Sequence, residues 1–315
     1  MIIVIQMEKK SKYNRQNIGK NSFFTKHALC GILITSISCT KETVMTKAIF
    51  CDLDGTLLGS NMGLSEENSR AISHLRSEGI IFIPTSGRNF FEMPSEIRRH
   101  NDISQYLCSN GAGFYDMKSG ESRHRSIPCD DARRIIEIIS KMSLVPVIHS
   151  VDGRGYFDRA KLDYSLMRDY RMSEYYCKYF CENSYPIDGL YDNFSEGIGI
   201  NSVCLFFKYE EELEQVSAEM ERMGVGCTHS VAGELEIFNK NAGKGNALID
   251  FAVSHGIALD ETMAIGDSMN DASMLKVAGK SVVTSGANPK LFEIAKHVGC
   301  SNDEHILDYV VRNLL

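Results

Sequence analysis

Residues 47–60 read KAIFCDLDGTLLGS. The short apolar run from Ala48 to Cys51 has the composition of a strand buried in a parallel sheet. It gives way to Asp52 and Asp54, then to Gly55 and Thr56. Residues two apart in an extended chain point to the same side, so both carboxylates face one centre. Two acids placed so close either share a proton or bind a cation. Gly55 and Thr56 let the chain turn sharply out of the strand, which makes the following LLGSNMG a candidate flap.

Outward from this stretch the pattern alternates strand and helix. LSEENSRAISHLRSEG (64–79) predicts a helix, with Ser65 at its start, Glu66 and Glu67 in its first turn, Ala71, Ile72 and Leu75 on its apolar face and Gly79 at its end. The next strand is IIFIP (80–84). A second series runs through GKGNALIDFAVSHG, TMAIG, a helix from Asn270 to Val277, SVVTS and a terminal helix in DEHILDYVVRNLL. The expected fold class is α/β: a Rossmann-like parallel sheet core with helices on both faces.

Residues 128–234 read differently. The helix DDARRIIEIISKM leads to the strands LVPVIHS and GYFD, then to a Tyr-rich stretch containing Tyr175, Tyr176, Tyr179 and Phe180. NSVCLFF, YEEELEQVSAEMERM and VGCTHSV follow as strand, helix and strand. This is the signature of an α+β module inserted as a cap between two halves of the core, 46–127 and 235–315. Packing within the cap is the preferred role for its aromatic cluster, and His149 and His229 read as structural.

The formal net charge is −7. Residues 1–45 carry seven Lys or Arg against Glu8 and Glu42, a net of +5, so the rest carries −12. An acidic body excludes a nucleic-acid surface, which needs a basic face to neutralise phosphates. The ten cysteines are scattered and mostly lie in apolar runs, as buried free thiols do in a reducing compartment. The apolar run ALCGILITSISC (28–39) is too short to span a bilayer. Residues 1–45 read as an extension outside the fold, either a misassigned start before Met45 or a leader of the kind that is acylated at a cysteine, here Cys39. The first reading implies a cytoplasmic protein without a membrane partner, the second an exported or lipid-anchored one.

In open α/β sheets, ligands bind at the carboxyl ends of the strands. There lie Asp52 and Asp54, then TSGR (85–88), SNGAG (109–113), Lys244 and, after TMAIG, Asp267 with Asn270 and Asp271. A third carboxylate completes a set of hard oxygen donors suited to magnesium, and Lys244 with the metal would counter a dianionic substrate. Ser86, the amide of Gly87 and a following helix N-terminus offer donors to phosphoryl oxygens. The constellation fits phosphoryl transfer on a small phosphorylated metabolite.

With these residues in order, residues 46–315 resemble the haloacid dehalogenase-like phosphohydrolases, in particular the Cof-like sugar-phosphatase branch with a large inserted cap. DLDGTLL, SGR, Lys244 in GKGNAL and GDSMND stand where that family has its four motifs, with Ser86 in place of the commoner threonine. The resemblance implies a magnesium-dependent phosphatase working through an aspartyl-phosphate. Asp52 would be the nucleophile and a metal ligand, and Asp54 the general acid and base, with its backbone carbonyl also on the metal. Leu53 and Gly87 amides, Ser86, Lys244 and Asn270 would hold the phosphoryl group. Asp267 would be a further magnesium ligand, and Asp271 would support the metal shell or Lys244. A phosphotransferase or phosphomutase using the same intermediate, or a non-catalytic surface lipoprotein, are the alternatives.

Overall fold

The computed structural model describes residues 44–315 except 230–232, without the side chain of Tyr175. The apolar run 28–39, and with it the leader reading, lies outside the described residues.

The core is a five-stranded, wholly parallel sheet. Its strands are β1 (Ala48–Cys51), β2 (Ile81–Pro84), β12 (Thr262–Gly266), β13 (Lys280–Val283) and β14 (His297–Val298), in the order β14-β13-β12-β1-β2. Every residue of β1 is buried because both sheet faces are covered. Ile49 and Cys51 face the helices Glu66–Ser77 and Ile306–Leu314, whereas Ala48 and Phe50 face the helix Lys244–His255. On that second face Phe50 meets Phe251 edge-on at 5.3 Å, a geometry worth about 0.5–1.5 kcal/mol beyond the area it buries. Ser65 caps the helix Glu66–Ser77 by accepting from the Asn68 amide, as its sequence predicts.

A three-stranded antiparallel sheet, β3 (Gln105–Cys108), β4 (Gly113–Asp116) and β5 (Glu121–His124), extends this layer. A single bridge from Thr85 to Leu107 joins the two. The tight turn between β3 and β4 is the SNGAG stretch, with Asn110 at φ 51°.

The inserted sheet has six strands in the order β10-β11-β9-β6-β7-β8. They are β6 (Leu144–Ser150), β7 (Gly155–Asp158), β8 (Tyr185–Ile187), β9 (Ile200–Phe207), β10 (Gly226–Thr228) and β11 (Glu234–Phe238). All neighbours pair antiparallel except β7 and β8. Its period of two sorts the side chains. Ile148, Val203, Leu205, Leu235 and Ile237 pack on the helices Cys129–Ile139 and Glu210–Met223. Val145, Val147, Cys204 and Phe206 face the helices Tyr164–Asp169 and Glu174–Asn183. Strand β11, which the sequence pattern did not single out, completes this sheet and carries it past residue 234.

Two local expectations are corrected. The chain after Gly87 does not enter a long helix: a single 3₁₀ turn, Phe90–Glu92, is capped by Asn89, and only a four-residue helix follows. Asn89 spends its side chain on the inserted sheet, donating to the Ser150 and Arg154 carbonyls at 2.8 and 3.0 Å. The helix expected from Asn270 begins instead at Ala272, after a 3₁₀ turn over Met269–Asp271.

Candidate active site

Asp52 ends β1, with its amide still bonded to the Ile265 carbonyl of β12 at 2.9 Å. The carboxylate is therefore fixed by the sheet itself. Lys244, the first residue of its helix, is fully buried and places Nζ 2.6 Å from both Asp52 Oδ1 and Asp271 Oδ1. Burial alone would discharge this lysine, but Asp271 and Asp52 hold it firmly as a cation. Asp271 uses its other oxygen to accept from the amides of Asp267 and Ser268, at 2.9 and 3.0 Å. It shapes the loop that presents Asp267.

Oxygens of Asp52, Asp267 and Asp271 lie within 4.8 Å of one another. Burial, resisted by Lys244 and reinforced by Asp271 and Asp267, pushes the Asp52 pKa up. Burial and Asp271 raise that of Asp267 to about 6. These shifts mark a surplus of negative charge in a low-dielectric place. Gly55 is at φ 79°, and a Cβ there would sit 2.5 Å from Asp267 Oδ2. Only glycine lets β1 turn away so close to the third carboxylate. Thr56 then donates to Asp267 Oδ1 at 2.9 Å.

Asp54 sits apart from the cluster. Arg88 grips both of its oxygens, Nε at 2.7 Å to Oδ2 and Nη2 to Oδ1. The guanidinium also donates to the Glu92 carbonyl at 3.2 Å and lies 4.2 Å from the centre of the Tyr179 ring. Ser86 Oγ accepts the Arg88 amide at 3.1 Å, which leaves its own proton to donate elsewhere. Asn270 accepts from Ser268 Oγ at 2.6 Å and donates to Asn110 Oδ1 at 3.2 Å, and Asn110 donates in turn to Glu236. Leu53 is buried at the turn out of β1.

A cavity of about 270 Å³ joins these groups to the inserted sheet. Asp52, Asp54, Ser86, Gly87, Asp267 and Asn270 form its floor, and His149, Cys204, Glu234 and Glu236 stand opposite. Tyr176, Tyr179 and Phe180 line one side, so the aromatic cluster both packs the cap and faces the cavity; the Tyr175 side chain lies outside the described ones. Besides the Asn110 bond to Glu236, the walls are held together by Glu92 with His149 at 3.1 Å and by the Tyr179 hydroxyl with the Glu92 carbonyl at 2.8 Å. Burial pushes His149 toward neutrality, yet Glu92 and the two nearby glutamates outweigh it and raise its pKa. His149, which the sequence reads as structural, is tied at the cavity wall to Glu92 and to the Ser202 hydroxyl.

All of the sequence-predicted site residues gather at one end of the parallel sheet, with Leu53, Lys244 and Asp271 fully buried. Arg88, Glu92, Asn110, Glu234 and Glu236 were not singled out. Arg88 and Asn110 stand inside the quoted stretches TSGR and SNGAG, and a half-buried carboxylate such as Asp54 calls for a cation such as Arg88. Glu234 and Glu236 had one signal: ELEIF alternates acid with apolar residues, the period of a strand with one polar face.

A parallel sheet with an acidic cluster and a buried lysine at its carboxyl end, roofed by an inserted sheet, defines a phosphohydrolase of the α/β class. The sequence pattern of the haloacid dehalogenase-like hydrolases matches residues 49–310, and the chain belongs to that family. It is 28% identical to the phosphatase YwpJ of Bacillus subtilis, over 85% of this chain and 100% of the relative. It is 26% identical to the 5-amino-6-(5-phospho-D-ribitylamino)uracil phosphatase YwtE of the same organism, over 85% of this chain and 98% of the relative. Among solved structures, a haloacid dehalogenase-like hydrolase from B. subtilis superimposes with a TM-score of 0.75 at 26% identity, covering 86% of this chain and all of the other. The chain is a phosphoric monoester hydrolase. Among the described residues no helix is long and apolar enough to cross a membrane.

Proposed function

We propose that this phosphatase hydrolyses a small phosphorylated metabolite through an aspartyl-phosphate on Asp52, with magnesium at the carboxylate cluster. The carrying observation is the buried Asp52 carboxylate, held on one oxygen by Lys244 beside Asp267 and Asp271. An Asp52 oxygen attacks phosphorus and the bond to the leaving oxygen breaks, while Asp54 delivers a proton to that oxygen. Water then attacks the same phosphorus, Asp54 takes its proton, and the bond to Asp52 breaks to release phosphate. Arg88 holds both Asp54 oxygens, so its grip must loosen before that carboxyl can meet the leaving oxygen. Ser86, the Leu53 and Gly87 amides, Lys244 and Asn270 hold the phosphoryl oxygens.

The donor set fits magnesium: hard carboxylate oxygens, crowded enough to raise the Asp52 and Asp267 pKa values. Asp52, Asp267 and the Asp54 carbonyl would hold it, with Asp271 fixing the loop. Bound there, the ion would polarise the phosphoryl oxygens and offset charge on the cluster. The inserted sheet, residues 128–234 together with the rest of β11, acts as the cap that excludes water. The cavity volume suits a sugar phosphate or a compound of similar size. Asp52→Asn should lower phosphate release from a model phosphomonoester by about four orders of magnitude or more. Retained turnover rules the nucleophile assignment out.

A further inference from the structure

The stretch LLGSNMG, which leads away from Asp54, reads as a flap in the sequence, but the structure pins it to the core. Asp303 holds Ser60 with both oxygens, accepting its amide at 2.7 Å and its hydroxyl at 2.6 Å. Asn302 donates to the Leu58 carbonyl at 3.0 Å, and Glu96 accepts the Leu64 amide at 2.6 Å. Within the stretch the Met62 amide donates to the Gly59 carbonyl at 2.7 Å, and the Gly59 amide to the Gly63 carbonyl at 3.1 Å, which closes a tight turn. Met62 stands at φ 63°, in the left-handed region that glycine enters freely and other side chains enter at a cost. Two glycines flank this turn, yet the left-handed position carries a methionine. Strain of that kind persists where the surroundings over-determine it, and it concentrates at positions that meet a ligand.

The Met62 side chain packs on the apolar core and borders the cavity over Asp52. It also borders a second recess of about 380 Å³, lined by Ser60 and Asn61 of the core and by Lys178, Glu182 and Asn183 of the cap helix. Arg88, Glu92 and Tyr179 share both linings with it, so these four side chains form the partition between an inner and an outer chamber. Three of the four are tied together. Arg88 and the Tyr179 hydroxyl both donate to the Glu92 carbonyl, at 3.2 and 2.8 Å, and the guanidinium lies 4.2 Å from the centre of the Tyr179 ring. Met62 is the one aliphatic member, a flexible side chain on a rigid mount. Resting on the proposed attack by Asp52, we propose that Met62 is a specificity-determining residue that closes the inner cavity and limits the leaving group to about one six-membered ring. With the phosphoryl group on Asp52, a cavity of about 270 Å³ has room for little more, and a longer leaving group has to cross Met62 into the outer recess.

Two rigid esters with the same reacting end test this on the full-length protein with magnesium: phenyl phosphate and 4-biphenylyl phosphate, whose second ring extends straight away from phosphorus. The native protein should favour the phenyl ester in kcat/KM by about tenfold or more. Met62→Gly and Met62→Asn, both suited to a positive φ, should each raise the biphenylyl-to-phenyl ratio by about tenfold, whereas Met62→Leu, which keeps the aliphatic bulk, should hold it near the native value. A side chain that served the fold alone would lower both esters together and leave the ratio unmoved. Equal use of the two esters by the native protein, a ratio unmoved in both the glycine and asparagine variants, or a ratio moved as far by leucine as by glycine overturns the proposal. Absence of phosphate release from both esters overturns instead the catalytic reading on which it rests.

Discussion

The floor and the roof of the cavity are both acidic, but they are built in opposite ways. On the floor, carboxylates stand at the ends of parallel strands and are tied to buried cations, Asp52 and Asp271 to Lys244 and Asp54 to Arg88. On the roof, Glu234 and Glu236 are alternate residues of one strand, Glu234 accepting from the Cys204 thiol and Glu236 from the Asn110 amide. The floor is therefore an interlocked electrostatic unit. The roof is a surface laid on an apolar core.

That contrast is broken first at Lys244. Lys244→Met leaves Asp52 and Asp271 buried without their cation and should lower the unfolding free energy by about 3–5 kcal/mol, measured by denaturant titration, besides abolishing phosphate release. A variant as stable as the parent means that the two carboxylates are not ionised together. Next in size, Asp54→Asn should lower kcat on a small aryl phosphate by about a hundredfold to ten-thousandfold. A loss smaller than tenfold means that another group carries the proton.

The roof is sharpened by pH. Burial and Glu234 raise the Glu236 pKa from 4.5 to about 8. The folded protein thus keeps a proton that the unfolded chain releases from about pH 4.5 upward, so this group's contribution to stability falls with rising pH and is fully lost above about pH 8. Glu236→Gln removes the titration. Between pH 5 and pH 9 the stability difference should move in favour of the variant by about 4 kcal/mol, read from chemical denaturation at each pH. A difference that stays constant across that range shows that Glu236 does not hold its proton in the folded protein.

The floor was legible in the sequence because its chemistry is local in the chain. A strand that ends in Asp-x-Asp-Gly-Thr places the proposed nucleophile, the proposed proton carrier and the turn within five residues, and Gly266 to Asp271 does the same for the loop of the proposed metal site. Lys244 was legible as the start of a helix, although its complete burial between two carboxylates needed the structure. The roof was not legible because each of its residues depends on a partner distant in sequence. His149 reads only as structural until Glu92 is found beside it, 57 positions earlier, and Glu236 becomes a wall of the cavity only through β11 pairing with β9. Strand β11 was also passed over because its charged residues mask an otherwise apolar run. The missing helix after Gly87 has a similar cause: Asn89 and Glu92 are committed to the inserted sheet, not to continuing a helix.

The alternation along β11 has a consequence for how such a protein can change over generations. Its two faces answer to different demands, since Leu235 and Ile237 pack the cap core while positions 234 and 236 line the cavity. A lineage can therefore exchange the cavity-facing pair one residue at a time without rebuilding its fold. Lys244 allows no such drift, because one ammonium serves Asp52 and Asp271 at once and any replacement fails both. Heritable novelty in this molecule has an open door in the roof and a locked one in the floor.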